Sequence, residues 1–178
     1  MDGTKPSIRE ARADDAAAIV RILNRIIEAR TFTAFDTPFS IEAERAYIET
    51  FPARGVFLVA VGEPDGHVVG FQSMEPFASF THAFDHVGVL GTYVDLERRR
   101  QGIAKHLFRG MFEAAIRKGY RKIFTYIRAD NHPALSTYVH HGFTIVGTAR
   151  GHARIDGQYV DEIIVERFLG EDARPGAG

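Results

Sequence analysis

One passage limits the fold more than any other. A strand-like apolar run, Val87 to Val94, feeds into Leu96-Glu97-Arg98-Arg99-Arg100-Gln101-Gly102-Ile103-Ala104-Lys105-His106-Leu107. Beyond it, Ile103, Leu107, Met111 and Ala114 recur at helical spacing. A strand entering a helix through a glycine-containing, arginine-rich turn is a place to hold an anion. The first helical turn has amides with no partner in the helix and the positive end of the helix dipole. Gly102 has no side chain to keep a ligand off those amides, and Ala104 is nearly as small. Arg98, Arg99 and Arg100 add charge suited to a diphosphate. The competing reading is a solvated arginine turn whose glycine serves only the backbone.

The remaining sequence narrows the class of molecule. A chain of 178 residues can bury a substantial core and reads as one domain spanning 1–178, with 1–6 and 170–178 as frayed tails. A formal net charge of −1 and a pI near 6.7 argue against a general nucleic-acid or membrane-surface binder, so any basic patch is local. With no cysteine, thiolate metal sites and a cysteine nucleophile are excluded. The N-terminal residues lack a signal-peptide core, and Val56 to Val61 is too short to span a bilayer; a cytoplasmic protein is the default.

Taken in order, Ser7 to Ala11 is a strand. Asp14 caps a helix carrying Ile19, Ile22, Leu23, Ile26 and Ile27. Thr31 to Phe39 breaks the pattern and holds Phe32 and Phe35, which read either as loop aromatics tucked onto a core or as a pocket wall. Ser40 starts a second helix. Val56 to Val61 and His67 to Glu75 form a hairpin around Glu63-Pro64-Asp65-Gly66, and Asp85 to Val94 leads into the arginine turn. The helix from Gln101 stops at Gly119, Arg121 to Arg128 is a strand covered on both faces, and Asn131 caps a helix ended by Gly142. Phe143 to Ala149 and Tyr159 to Phe168 are strands joined around Asp156-Gly157. The class is α+β, with a mixed, mainly antiparallel sheet between helices on both faces.

Arg99-Arg100-Gln101-Gly102-Ile103-Ala104 resembles the Arg/Gln-x-x-Gly-x-Gly/Ala signature of the GNAT superfamily of N-acetyltransferases. Asn131-His132-Pro133-Ala134 with Tyr138 and Gly142-Phe143 resembles its second landmark. The likeness runs from about Ile8 to Leu169. Thr31-Phe32-Thr33 and Gly157-Gln158-Tyr159-Val160-Asp161 are most similar to the phosphinothricin and methionine sulfoximine acetyltransferase group. The resemblance implies a three-layer α/β/α fold with about seven strands, splayed between the fourth and fifth, and about four helices. It implies acetyl-CoA as co-substrate, with its pyrophosphate on the amides of Gln101, Gly102, Ile103 and Ala104 beside Arg99 and Arg100. Its pantetheine would pair with the backbone of Thr92, Tyr93 and Val94, and Asn131 would touch the cofactor chain. A homodimer is implied as well.

Acetyl transfer needs a neutral amine and a proton for the leaving thiolate. Tyr138 suits the second task, since a phenol near pKa 10 stays protonated where a thiol near 8.5 does not. Its other reading is a ring packed on the core with its hydroxyl in water. For the base, the group's glutamate position falls on Val89. His86, Asp85 and Glu75 stand nearby, His86 having the apt unperturbed pKa, and water suffices for an amine that is already partly neutral. Phe32, Phe35, Phe77 and Phe80 suggest an apolar wall, while Arg150, His152, Arg154 and Tyr159 read either as a carboxylate-binding set or as a solvated hairpin. His82 and His86, four apart, could chelate a metal on a helix, but their stretch reads as loop and strand, and the adjacent His140 and His141 would point apart, so no metal is expected. The expected activity is acetylation of a small-molecule primary amine, plausibly an amino acid or analogue. The alternatives are acetylation of a protein or peptide amine and a non-catalytic acyl-CoA sensor.

Overall fold

The strand candidates assemble into one seven-stranded sheet in the order β1-β2-β3-β4-β5-β7-β6. In chain order they are β1 (Ser7–Glu10), β2 (Val56–Val61), β3 (Val68–Pro76), β4 (Val87–Val94), β5 (Lys122–Arg128), β6 (Thr144–Ile155) and β7 (Gln158–Phe168). Four α-helices accompany them among the described residues: α1 (Ala16–Glu28), α2 (Ile41–Glu49), α3 (Ile103–Arg117) and α4 (His132–His140). The computed structural model describes residues 5–64 and 66–170, so the tail expectations for residues 1–4 and 171–178 fall outside the described residues, as does Asp65 in the β2–β3 turn. Among the described residues no helix is long and apolar enough to cross a membrane.

Every strand pair is antiparallel except β4–β5, and that exception shapes the molecule. The parallel pairing spans only Val87 to Val89 against Lys122 to Phe124. One residue further on, the Thr125 hydroxyl takes over, donating to the Leu90 carbonyl at 2.6 Å. A side chain thus satisfies the backbone where the ladder stops, and the strands part into a V between the fourth and fifth.

Alternation decides which layer each strand residue meets. Phe57, Val59 and Phe71 pack with Ile19, Ile22, Leu23 and Ile26 of α1 on one face. Leu58, Met74 and Leu90 pack with Leu107, Phe108 and Met111 of α3 on the other, joined by Tyr138 and Phe143.

Three expected boundaries move. The helix after the arginine turn starts at Ile103 rather than Gln101, because Arg100 and Gly102 adopt positive φ of 61° and 77°. Strand β6 runs to Ile155, beyond the expected Ala149, with register shifts that bend it along β7 up to the Asp156-Gly157 turn, where φ is positive at both residues. The acidic residue at the start of α1 is Asp15, not Asp14. It accepts from the Arg12 amide at 2.8 Å and is gripped by Arg9 at 2.7 and 2.8 Å. The Arg9 hydrogen bonds hold this carboxyl below its ordinary pKa of 3.8. Folding therefore gains from Asp15 above that pH and loses the gain as pH falls through the lower folded value. Thermal melts from pH 6 to pH 3 should show a steeper acid loss in the wild type than in Asp15→Asn, whose melting temperature is lower at neutral pH and flatter in acid.

Candidate active site

Two cavities meet inside the V. The first, about 500 Å³, is lined by the end of β4 (Thr92, Tyr93, Val94), the arginine turn, the start of α3 and one face of α4. Arg98, Arg99, Arg100 and Lys105 line it, and among the described residues no carboxylate does. The first backbone bond of α3 runs from the His106 amide to the Gly102 carbonyl at 3.4 Å, so the amides of Ile103, Ala104 and Lys105 precede the helical ladder. A Cβ built on Gly102 meets no atom within 4 Å. Cations, helix-start amides and an unobstructed glycine make this a site for a polyanion. Arg99 stands over the Phe32 ring at 3.9 Å, and burial lowers its pKa from a very basic starting value.

The second cavity, about 660 Å³, lies on the α2 side of the opening. Its walls include Phe32, Phe35, Tyr47, Glu75, Val89, Tyr126, Arg128 and Glu162. Phe32, Thr92, Tyr93, Asn131, Ala134 and Tyr138 belong to both cavities and form the partition between them.

The partition has a polar centre. Gln72, wholly buried on β3, donates through Nε2 to the Thr92 hydroxyl at 3.0 Å, and Thr92 lies 2.8 Å from the Tyr138 hydroxyl. The arrangement lets Thr92 donate to the Tyr138 oxygen, leaving the phenolic proton available to the cavity. Burial raises the Tyr138 pKa well above that of an ordinary phenol, with the Thr92 hydrogen bond acting the other way. Tyr138 therefore stays protonated across the neutral range. Neighbouring Tyr93 is pushed up to about 12 by burial.

Asn131 holds the partition together twice. Its Oδ1 accepts from the Ala134 amide at 3.2 Å, capping α4, and its Nδ2 donates to the Phe32 carbonyl at 3.0 Å. Asn131→Ala loses both bonds and should cost about 1–2 kcal/mol, lowering the melting temperature by about 2–8 °C in a chain of this size. A calorimetric melt checks it.

The structure brings together Thr92, Tyr93, Val94, Arg99, Arg100, Gly102, Ile103, Ala104, Asn131 and Tyr138 on the first cavity, and Phe32 and Phe35 on the second. The other expected participants lie elsewhere. Gln101 is exposed and lines neither cavity, because the positive-φ residues on either side turn it outward. His86 is exposed and lines neither. It precedes β4, and its carbonyl accepts from the Arg121 and Lys122 amides. Six residues of strand separate it from Thr92, about 20 Å. Tyr159 is 72% exposed near the tip of the β6–β7 hairpin, opposite Arg154. Phe80 is 86% exposed, and Phe77 packs on Phe84 and Phe124 instead of a cavity. Asp85 is tied to Arg54 and His82, both at 3.0 Å, and Arg150, His152 and Arg154 line neither cavity.

Sequence reasoning missed Gln72, Tyr47, Lys105, Arg128 and Glu162. A lone glutamine within the apolar run of β3 is a signal for the first, and Lys105 directly follows Ala104 in the turn motif; Tyr47, Arg128 and Glu162 become neighbours only through the tertiary fold. Glu75 was visible as a nearby carboxylate, but its register was not. It lies directly across from Val89 on β3, hydrogen-bonded by the Tyr47 hydroxyl.

Residues 21–143 match the Acetyltransferase (GNAT) family. The chain is 27% identical over 154 residues to phosphinothricin N-acetyltransferase of Streptomyces viridochromogenes, covering 86% of this chain and 82% of the relative. It is 24% identical over 158 residues to L-methionine sulfoximine/L-methionine sulfone acetyltransferase of Pseudomonas aeruginosa, covering 87% and 90%. A GNAT superfamily phosphinothricin acetyltransferase from Sinorhizobium meliloti, solved in complex with AcCoA, shares its fold at a TM-score of 0.86 and 23% identity, over 98% of this chain and 95% of that one.

Proposed function

Because this chain belongs to the GNAT acetyltransferase family, we propose that it moves the acetyl group of acetyl-CoA onto the primary amine of a small molecule by direct attack. The observation that carries this reading is the pair of cavities. A cationic, carboxylate-free cleft meets a second chamber at a buried, protonated tyrosine.

The residues fit the co-substrate. Arg98, Arg99, Arg100 and Lys105 would surround its phosphates, with the amides of Ile103 and Ala104 on the pyrophosphate and Gly102 leaving room for it. The exposed edge of β4 from Thr92 to Val94 offers strand-like pairing to the pantetheine. Acetyl-CoA supplies the acetyl group as a thioester. The amine lone pair forms the C–N bond, the C–S bond breaks, and the thiolate takes a proton. Tyr138, buried and protonated at the partition, would give that proton. Glu75 occupies the place opposite Val89 where a carboxylate can receive the proton lost by the ammonium, a role in which exposed His86 is given no part. The net change is amide, free thiol and one proton.

Relatives named for phosphinothricin, methionine sulfoximine and methionine sulfone make amino acids and their analogues the first acceptors to assay. The single continuous sheet supports reading the chain as one domain. The test is free-thiol release from acetyl-CoA against those compounds, common amino acids, aliphatic amines and short peptides. Turnover with a small amine is the expected result. Turnover with peptides alone would replace this reading by a peptide acetyltransferase, and tight acetyl-CoA binding without turnover would replace it by a sensor.

A further inference from the structure

The charges lining the second cavity favour an acceptor unlike an amino acid. Glu75 and Glu162 line it, and among the described residues Arg128 is the one lysine or arginine that does. Arg128 is already engaged. It grips Asp130 at 2.9 and 2.6 Å and donates to the carbonyls of Arg30 and Thr33 at 2.8 and 3.2 Å. With that pair cancelling, an entering carboxylate or phosphinate meets two like charges and no open guanidinium fork.

Among the described residues no cation hydrogen-bonds these carboxylates. Glu162 is 9% exposed and stands across the β5–β7 ladder from Arg128, whose hydrogen bonds go to Asp130 and two carbonyls, while His152 Nε2 lies 3.9 Å away. Among the described residues Glu75 accepts from Tyr47 alone, a neutral donor. A third carboxylate, Glu44 on α2, is 4% exposed without an ion pair among the described residues, and its charge is felt at Tyr47 and Tyr93 of the cavity wall. A buried carboxylate that no cation hydrogen-bonds is costly, and a cationic ligand would relieve that cost.

The sheet register separates the two lining acids. Glu75 is level with Val89 and, through Phe124, with Glu166, whereas Glu162 pairs with Arg128, four residues further toward the open end of the V. That offset is about 13 Å along the strands, so the two face different parts of one acceptor. Tyr47 and Tyr126 add aromatic lining.

Resting on the acetyl-transfer reading above, we propose that the acceptor is an aliphatic diamine or polyamine, its second ammonium held at Glu162 while its first is acetylated beside Tyr138. The experiment measures thiol release by the full chain with 1,4-diaminobutane and spermidine against 1-aminobutane, phosphinothricin and methionine sulfoximine. The diamine or triamine should exceed both the monoamine and the amino acids in kcat/KM by about tenfold or more. In Glu162→Gln the ratio of diamine to monoamine should collapse toward one through a rise in KM, with acetyl-CoA binding showing that the variant is folded. A preference for phosphinothricin, methionine sulfoximine or the monoamine would overturn the proposal and leave acetyl transfer intact, as would an unchanged ratio in Glu162→Gln. Silence with every amine, with acetyl-CoA still bound, would overturn both readings.

Discussion

Replacing Tyr138 with phenylalanine should lower kcat by about two to four orders of magnitude while acetyl-CoA affinity stays within about twofold. The substitution removes one oxygen and keeps the ring, which packs edge-on to Phe108 and Phe143 at 5.1 and 4.9 Å. What disappears is the proton donor at the partition and the 2.8 Å contact with Thr92. The loss should appear as a fall in kcat with little change in KM for acetyl-CoA, the pattern of an interaction made in the transition state. Pre-steady-state thiol release, paired with titration calorimetry of acetyl-CoA, separates the two. Unaltered turnover would assign the leaving thiolate's proton to solvent. Because burial keeps the phenol protonated far above neutrality, the alkaline limb of the wild-type pH profile should not titrate this group.

Gly102→Val should weaken acetyl-CoA binding by about tenfold or more, the second large effect. Two causes act together. A residue with a Cβ at φ 77° is strained by about 1–2 kcal/mol, more when β-branched. The new methyls also project into the open cleft, where a Cβ meets nothing within 4 Å. Gly119→Val, beyond the far end of the same helix, is the control. Its φ is +85° and a Cβ there is equally unobstructed, so it carries the backbone strain without the cleft. Both variants should melt earlier; only Gly102→Val should lose acetyl-CoA. Equal affinities would move the pyrophosphate elsewhere.

The donor side was legible because it is written in consecutive letters. From Arg98 to Lys105, neighbours in sequence are neighbours in space, since a turn into a helix keeps local residues together. The same holds for Asn131, Ala134 and Tyr138, one helical turn apart on α4. The acceptor side is assembled by sheet order, which places β7 beside β5 and β3 beside β4. No local pattern announces that Glu162 and Glu75 share a cavity, or that Gln72 reaches Tyr138 through Thr92. His86 misled for the converse reason. Proximity in sequence to β4 reads as proximity to the site, yet an extended strand carries residues apart by about 3.3 Å each. Gln101 is set by backbone conformation, since positive φ at Arg100 and Gly102 leaves it exposed beside the cleft.

The partition between the cavities has a consequence for how such a chain can change over generations. The elements proposed to grip the donor, the arginine turn and the faces of α3 and α4, contribute little to the far wall of the second chamber. That wall is drawn from the Thr31–Phe39 loop, α2, β3 and β7. Mutations there can retune which amine enters without disturbing the machinery that delivers the acetyl group. Descendants of one ancestor can thus diverge in diet while sharing a fuel line, and kinship by sequence is a better guide to the donor than to the recipient.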